Sequence, residues 1–327
     1  MLTTTRTSAP DPPTASAVRV RDLACSYGDV RAVRGVSFDI VPGELFALLG
    51  TNGAGKTTTI EALEGFRNPT AGTVRVLGLD PRRRRRALQG RVNAVLQESG
   101  TFADLTVIET IELVRRTSGR RRDLDEVLSA VDLTGRAGAR VGHLSGGQKR
   151  RLDLALAVVT RPEVLLLDEP TTGMDPEARR TVWALIAELI REGTAILLTT
   201  HYLEEAERLA DRIAVMHHGR IEVAGTLDQV LAGHGDRISF RLEGSPPEDP
   251  PVLPGAEAVV EGERVTYTVD GADHARRAHR AMAALGTWAD RHRLDLLDLA
   301  LHRASLEDVF LRVADGHEIP TPTGVSR

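Results

Sequence analysis

Five apolar residues, Leu45-Phe46-Ala47-Leu48-Leu49, run directly into Gly50-Thr51-Asn52-Gly53-Ala54-Gly55-Lys56-Thr57, and this junction constrains the chain more than any other segment. A short unbroken apolar run reads as a strand buried on both faces, which belongs in a parallel sheet covered by helices. The G-x-x-x-x-G-K-T spacing that follows reads as a phosphate-binding turn that opens a helix. Its glycines let the backbone bend tightly and aim several N–H groups at one point, so phosphate oxygens meet donors together with the positive end of the next helix. Lys56 supplies a mobile cation for β- and γ-phosphates, and Thr57 offers a hydroxyl to Mg²⁺.

At 327 residues and 41% hydrophobic content, the chain is long enough for one large domain and a smaller one. The longest purely apolar run, Leu154 to Val159, falls far short of the roughly 20 residues that span a bilayer, so any membrane role requires a partner chain. Residues 1–17 lack an apolar stretch and are expected to be a disordered tail, and residues 316–327 form a second tail. One cysteine, Cys25, excludes an internal disulfide and fits a reducing compartment. A net charge of −4 gives no overall attraction to nucleic acid, and none is expected as a partner. The dense basic run Arg82 to Arg86 follows Asp80-Pro81, which reads as a helix start; it reads as a solvated helix face, with contact to anionic lipid as the alternative.

Strands are expected at Val18–Val20 and Val36–Ile40, ending at the turn Pro42-Gly43. From about 97 to 157 the pattern is helical. Thr106 with Glu109 has capping-box spacing, and Ile108, Ile111 and Leu113 continue the apolar positions. A strand at Val164–Leu167 leads through the cap Asp175 and Pro176 into a helix with an apolar stripe of Val182, Leu185, Ile186, Leu189 and Ile190. Gly193 ends it, Ala195–Leu198 reads as another buried strand, and 213–223 as a hairpin turning at His218-Gly219. Strands alternating with helices imply a parallel α/β core. Beyond Gly233 the character changes to a small α+β appendage, with strands at Arg237–Leu242 and Val265–Val269 flanking a proline-rich loop, then helices near 272–285 and 305–313.

Asp168 and Glu169 close the strand Val164–Leu167, at the edge where an open parallel sheet presents residues to its ligand. Asp168 is placed to reach Mg²⁺ and Glu169 to polarise the water that attacks a γ-phosphate. Ser145 and Gln148, in Leu144-Ser145-Gly146-Gly147-Gln148, have capping-box spacing. A capped helix start with two glycines also suits a second phosphate-binding surface, and both readings hold together.

These motifs, in this order over about residues 18–233, resemble the ATP-binding cassette (ABC) transporter ATPases, whose signature is LSGGQ. The resemblance implies an α/β phosphate-loop fold with an antiparallel β subdomain, a helical insertion at about 97–157 and a small C-terminal α+β domain over 234–315. It implies that Gly50 to Thr58, with Thr58 following the loop, bind ATP, and that Tyr27 stacks on adenine. Periodicity alone makes Tyr27 a surface residue. Gln97 matches the glutamine that touches Mg²⁺ and the attacking water, and His201 the switch histidine at the γ-phosphate; Lys56, Glu169 and His201 make up the catalytic set. Met174 stands where the family more often has leucine, in the loop whose Asp175 meets the partner subunit.

The resemblance further implies that Leu144 to Gln148 of one cassette bind the γ-phosphate held by the loop of another. A complete site then needs a second cassette, from a homodimer or a paralogue, with ATP and Mg²⁺ between the halves. Ser305-Leu306-Glu307-Asp308-Val309-Phe310-Leu311 resembles the ending of drug-resistance and ABC-2 type exporter ATPases, while its pattern alone reads as a capped, packed amphipathic helix. The expected activity is ATP hydrolysis that energises export of a drug or other hydrophobic compound through a separate membrane permease, at the cytoplasmic face of the cell membrane. The alternatives are an importer ATPase, or a soluble cassette protein acting on ribosome or DNA.

Overall fold

Alternation and capping shape the chain locally, and residues 16–97, 100, 102–232, 235–242, 251–269 and 274–314 are described by a computed structural model. In chain order the elements begin with β1 (Val18–Tyr27), β2 (Val30–Ile40), β3 (Leu45–Gly50), α1 (Lys56–Leu63), β4 (Ala71–Val76), α2 (Arg85–Leu88) and β5 (Val92–Val95). Next come α3 (Val107–Arg115), α4 (Leu124–Ala130), α5 (Gly146–Val158), β6 (Val164–Asp168), α6 (Pro176–Arg191), β7 (Ala195–Thr199) and α7 (Leu203–Leu209). The remainder is β8 (Arg212–His217), β9 (Arg220–Gly225), α8 (Leu227–Leu231), β10 (Asp236–Leu242), β11 (Ala256–Glu261), β12 (Arg264–Val269), α9 (His274–His292), β13 (Leu296–His302) and α10 (Leu306–Ala314). Among the described residues they form two compact units, one within residues 16–45 and 57–199, the other within residues 46–56 and 200–314.

In the first unit β1 lies between β2 and β4 in an antiparallel sheet. The strands run well beyond Val18–Val20 and Val36–Ile40, because register shifts within the pairing let β1 continue past polar Arg21 and Asp22 to Tyr27. β5, β6 and β7 pair in parallel. Every residue of β6 and β7 is buried, as their continuous apolar runs demand. Burying each of Leu165, Leu166 and Leu167 contributes roughly 1.5–3 kcal/mol, which fixes where Asp168 leaves the strand. A charge at Leu166 would break it.

The capping box of Thr106 and Glu109 forms as expected and starts α3. The buried face is Val107, Thr110 and Ile111, however, while Leu113 is 48% exposed. Two positions from Ile111 is about 200° around a helix, which turns Leu113 outward. α3 and α4 both pack on α5. The helix expected from Asp80-Pro81 starts only at Arg85. Asp80 instead accepts the Arg82 N–H at 3.0 Å in a turn, and nothing caps α2. α6 has the expected Asp175 cap and Pro176 start, and buries Trp183 beside Val182, Leu185, Ile186 and Leu189.

In the second unit β3 pairs in parallel with β8, and β8 forms an antiparallel hairpin with β9 across His218-Gly219. β10 lies between β12 and β13, with β11 at the far edge. Ile238, Phe240, Leu242, Val265, Tyr267 and Val269 pack with Ala281 and Leu285 of α9. The Tyr267 hydroxyl donates to the Pro251 carbonyl at 2.8 Å, and burial pushes its pKa up to about 12. α10 buries Leu306, Val309 and Val313 and packs on α7, α8 and β8, so its amphipathic pattern serves packing. Residues 1–15 and 316–327 of the expected tails, most of the proline-rich loop and the first residues of the helix read near 272 lie outside the described residues; Ala17, expected in the first tail, is instead buried and accepts the Leu77 N–H at 2.7 Å beside β1.

Candidate nucleotide site

Gly50 closes β3 where a Cβ would lie 2.5 Å from the Met216 carbonyl oxygen and 3.1 Å from the Ala54 Cβ, so a side chain cannot be accommodated there. Gly53 and Gly55 have φ of 79° and 106°, the region glycine enters without cost from a Cβ. Two hydrogen bonds pin the loop: Ala54 N–H donates to the Thr51 carbonyl at 3.1 Å, and Gly219 N–H to the Ala54 carbonyl at 3.1 Å. Asn52 and Gly53 face solvent at its tip. Lys56 is 7% exposed and curls back so that Nζ donates to the carbonyls of Gly50 at 2.7 Å and Thr51 at 3.2 Å. The ammonium thus sits against the loop itself, and the chain continues from Lys56 into α1.

Thr57, exposed on the first turn of α1, donates its hydroxyl to Asp168 Oδ2 at 3.1 Å. The Thr199 hydroxyl at the end of β7 donates to the other carboxylate oxygen, and Asp168 is 1% exposed. Residues far apart in the chain meet here because β6 and β7 run side by side and end at the same level, Asp168 opposite Thr199. Glu169 follows with φ of 51°, a left-handed conformation rare for a residue with a Cβ. Its N–H donates to the Thr199 carbonyl at 2.9 Å, and Thr172 Oγ1 donates to its Oε2 at 3.3 Å, which hold that turn. The hydroxyl and carboxylate of Thr57 and Asp168 are hard oxygen donors of the kind Mg²⁺ takes alongside substrate phosphates.

Arg150, which the sequence reading passed over, ties this region together. It lies on α5, is 8% exposed, and donates to the carbonyls of Pro170 at 3.1 Å, Asp168 at 2.6 Å and Glu169 at 2.8 Å, and also to Leu96. Burial lowers its pKa. The only signal in the sequence was a cation beside buried Leu152 and Leu154 on the same helix. Through Arg150 the strand end is joined to the segment before Gln97, which is exposed. Gln97, Glu169, Gly146 and Thr172 line one cavity of about 430 Å³.

The capping box of Ser145 and Gln148 opens α5. Gln148 N–H donates to Ser145 Oγ at 3.3 Å and Ser145 N–H to Gln148 Oε1 at 3.0 Å. Leu144 is buried while Ser145 and Gly146 are exposed, and a Cβ on Gly146 or Gly147 would meet nothing within 4 Å. Asp175 Oδ1 accepts from Glu177 N–H at 3.0 Å and Ala178 N–H at 2.9 Å, and the Ala178 hydrogen bond, against the opposing pull of burial, holds its carboxyl below the usual aspartate range.

Tyr27 is 42% exposed, with its hydroxyl 3.2 Å from Thr58 Oγ1 and donating to Glu61 Oε2 at 2.9 Å, so β1 is tied to α1. The Arg67 guanidinium lies 3.8 Å from its ring centroid. Thr58 is buried. His201 is exposed two residues beyond β7, with its ring 4.1 Å from that of Tyr202.

A family described as ABC transporter matches residues 33–172. Over 312 residues, 91% of this chain and 97% of the relative, the sequence is 40% identical to the Nod factor export ATP-binding protein I of Paraburkholderia xenovorans (strain LB400). The chain belongs to the ABC transporter ATP-binding proteins. This ABC ATPase is also 37% identical over 306 residues to the daunorubicin resistance ATP-binding protein DrrA3 of Streptomyces coeruleorubidus, covering 91% of this chain and 96% of the relative. The solved structure of an ATP binding subunit of an ABC transporter matches with a TM-score of 0.63 and 30% identity, over 66% of this chain and 92% of that one. The dimeric cassette MJ0796 bound to ADP and Pi shares the fold, with a TM-score of 0.58 and 24% identity over 64% of this chain and 98% of that one. The α/β cassette fold, the resemblance to drug-resistance exporter ATPases and the assignment as a nucleotide-binding ATPase all stand.

Proposed function

We propose that this ABC ATPase hydrolyses ATP to drive export of a drug or other hydrophobic compound through a separate membrane permease, working in pairs at the cytoplasmic face of the membrane. The observation that carries this reading is the Asp168 carboxylate held 3.1 Å from Thr57 Oγ1, with Glu169 next to it in a sterically costly backbone conformation. Whole-length similarity to proteins named for Nod factor export and daunorubicin resistance supports the direction of transport.

In this reading Lys56 and the N–H groups of Gly50 to Gly55 bind the β- and γ-phosphates, with Thr58 beyond them and Tyr27 at the adenine. Thr57, Asp168 and Gln97 would hold Mg²⁺, which would supply positive charge to neutralise the phosphates. Glu169 takes a proton from the attacking water, and His201 orients the γ-phosphate. Ser145, Gly146, Gly147 and Gln148 of the second cassette, flanked by Leu144, close over the same phosphate, and Asp175 lies at the partner contact. ATP then favours the closed pair, and its hydrolysis releases it.

Light scattering of the Glu169→Gln variant tests the pairing. ATP should double the mass and ADP should leave it unchanged; a monomer at saturating ATP would overturn the shared site. Co-purification with a permease and stimulation of ATPase activity by candidate compounds tests export separately.

A further inference from the structure

Between Arg75 and Arg91 the chain carries seven arginines and a single acid, Asp80, although its net charge is −4. Asp80 is already engaged, lying 3.6 Å from Arg75 and 3.7 Å from Arg83. Arg91 pairs with Glu163 at 2.8 Å. Arg82 to Arg86 are all exposed, the Arg83 side chain by 84%, and no carboxylate among the described residues pairs with Arg82, Arg84 or Arg86. The positive charge of this turn and of the short α2 is therefore left largely uncompensated.

Phe66 stands beside it, 58% exposed, with the Arg85 guanidinium 4.2 Å from its ring centroid. The two residues share a cavity of about 630 Å³ with Pro81, Arg86, Leu63 and Glu64. Glu64 is the acid that lines this cavity. Burial raises its pKa to about 7, against the opposing pull of Arg85, so it offsets less than a full charge near neutral pH.

Exposed arginine side chains, of which Arg82, Arg84 and Arg86 pair with no carboxylate among the described residues, suit a diffuse array of anions better than one rigid ligand. An exposed aromatic ring among them suits a water–lipid boundary, where the ring leaves water and the guanidinium groups stay with phosphate. An acidic protein segment would instead favour guanidinium forks held in fixed geometry, which this surface lacks. We propose that Arg82 to Arg86 and Phe66 form a surface that binds the headgroups of anionic phospholipids. Charge and exposure carry this inference, so it stands apart from the export reading.

The test is co-sedimentation of the full chain with phosphatidylcholine vesicles, with and without phosphatidylglycerol. Binding should need phosphatidylglycerol and weaken with added salt. At roughly fivefold per arginine, replacing Arg82, Arg84, Arg85 and Arg86 by Gln should weaken it by about a hundredfold or more, while ATP affinity stays unchanged. Phe66→Ala should cost a smaller factor. If the quadruple variant does not fold, Arg83→Gln with Arg84→Gln carries the same test at about 25-fold. Equal retention on pure phosphatidylcholine, or unaltered binding by the variants, would overturn the proposal. So would displacement by inorganic phosphate as effective as by vesicles, which marks a soluble-anion site, or arginine-dependent binding to a permease in lipid-free detergent without vesicle binding, which marks a protein surface.

Discussion

Asp168 is 1% exposed and receives a threonine hydroxyl on each carboxylate oxygen, one from Thr57 and one from Thr199, whereas Ser145 and Gly146 stand in solvent at the start of α5. Both regions are proposed to meet the same phosphate. The first is organised by side chains drawn from three elements of its own chain. The second is organised by local contacts, chiefly the reciprocal bonds of Ser145 and Gln148, which set the helix start and leave its glycines uncovered. A site built inward needs no partner to hold its shape, while one capped locally and open outward gains its function from another surface. The contrast is the physical basis for proposing that nucleotide is shared between two copies.

The largest expected effect tests the inward region. Glu169→Gln should lower kcat by about 10²- to 10⁴-fold, the range for loss of a general base, with ATP binding retained. Steady-state hydrolysis measured beside nucleotide affinity decides it, and unchanged turnover would remove Glu169 from the chemistry. Next in size, Lys56→Ala should weaken ATP binding by roughly 10- to 100-fold, the worth of a charge-assisted contact. Calorimetric titration that found no change would count against the phosphate loop as the binding element.

A third test asks how strongly burial sets electrostatics just past the end of α1, the helix that carries Thr57. The Glu64 pKa is raised to about 7, mainly by burial, so the folded chain binds a proton that the unfolded chain has lost. Stability should therefore fall as pH rises from about 4.5 to about 7, by on the order of 2 kcal/mol after allowance for partial exposure. Thermal melts across that range should show the decline in the native chain and a flatter profile in Glu64→Gln; parallel profiles would refute it. The smallest effect tests the outward region. Ser145→Ala should cost about 1 kcal/mol through the lost cap, and it should weaken ATP-driven pairing more than ATP binding by the monomer. Light scattering that showed both reduced alike would erase the distinction between the two regions.

The sequence by itself determined whatever depends on near neighbours. The glycines and Lys56 of the phosphate loop, the capping boxes at Thr106 and Ser145, the Asp175-Pro176 helix start and the hairpin at His218-Gly219 are encoded within a few residues, because turns and caps are closed by bonds from i to i+2 or i+3. Continuous apolar runs located β3, β6 and β7 for the same reason. The strands β4, β5, β11 and β13 escaped, since short segments such as Val92-Asn93-Ala94-Val95 gain strand character only from the neighbours they pair with. The helix read from Asp80 failed because the aspartate closed a tighter turn. Only the tertiary structure decided that Thr57 and Thr199 share Asp168, that Arg150 gathers the carbonyls around it, and that Glu169 adopts a left-handed φ. Those facts depend on where parallel strands end beside one another, a product of long-range packing that no local pattern records.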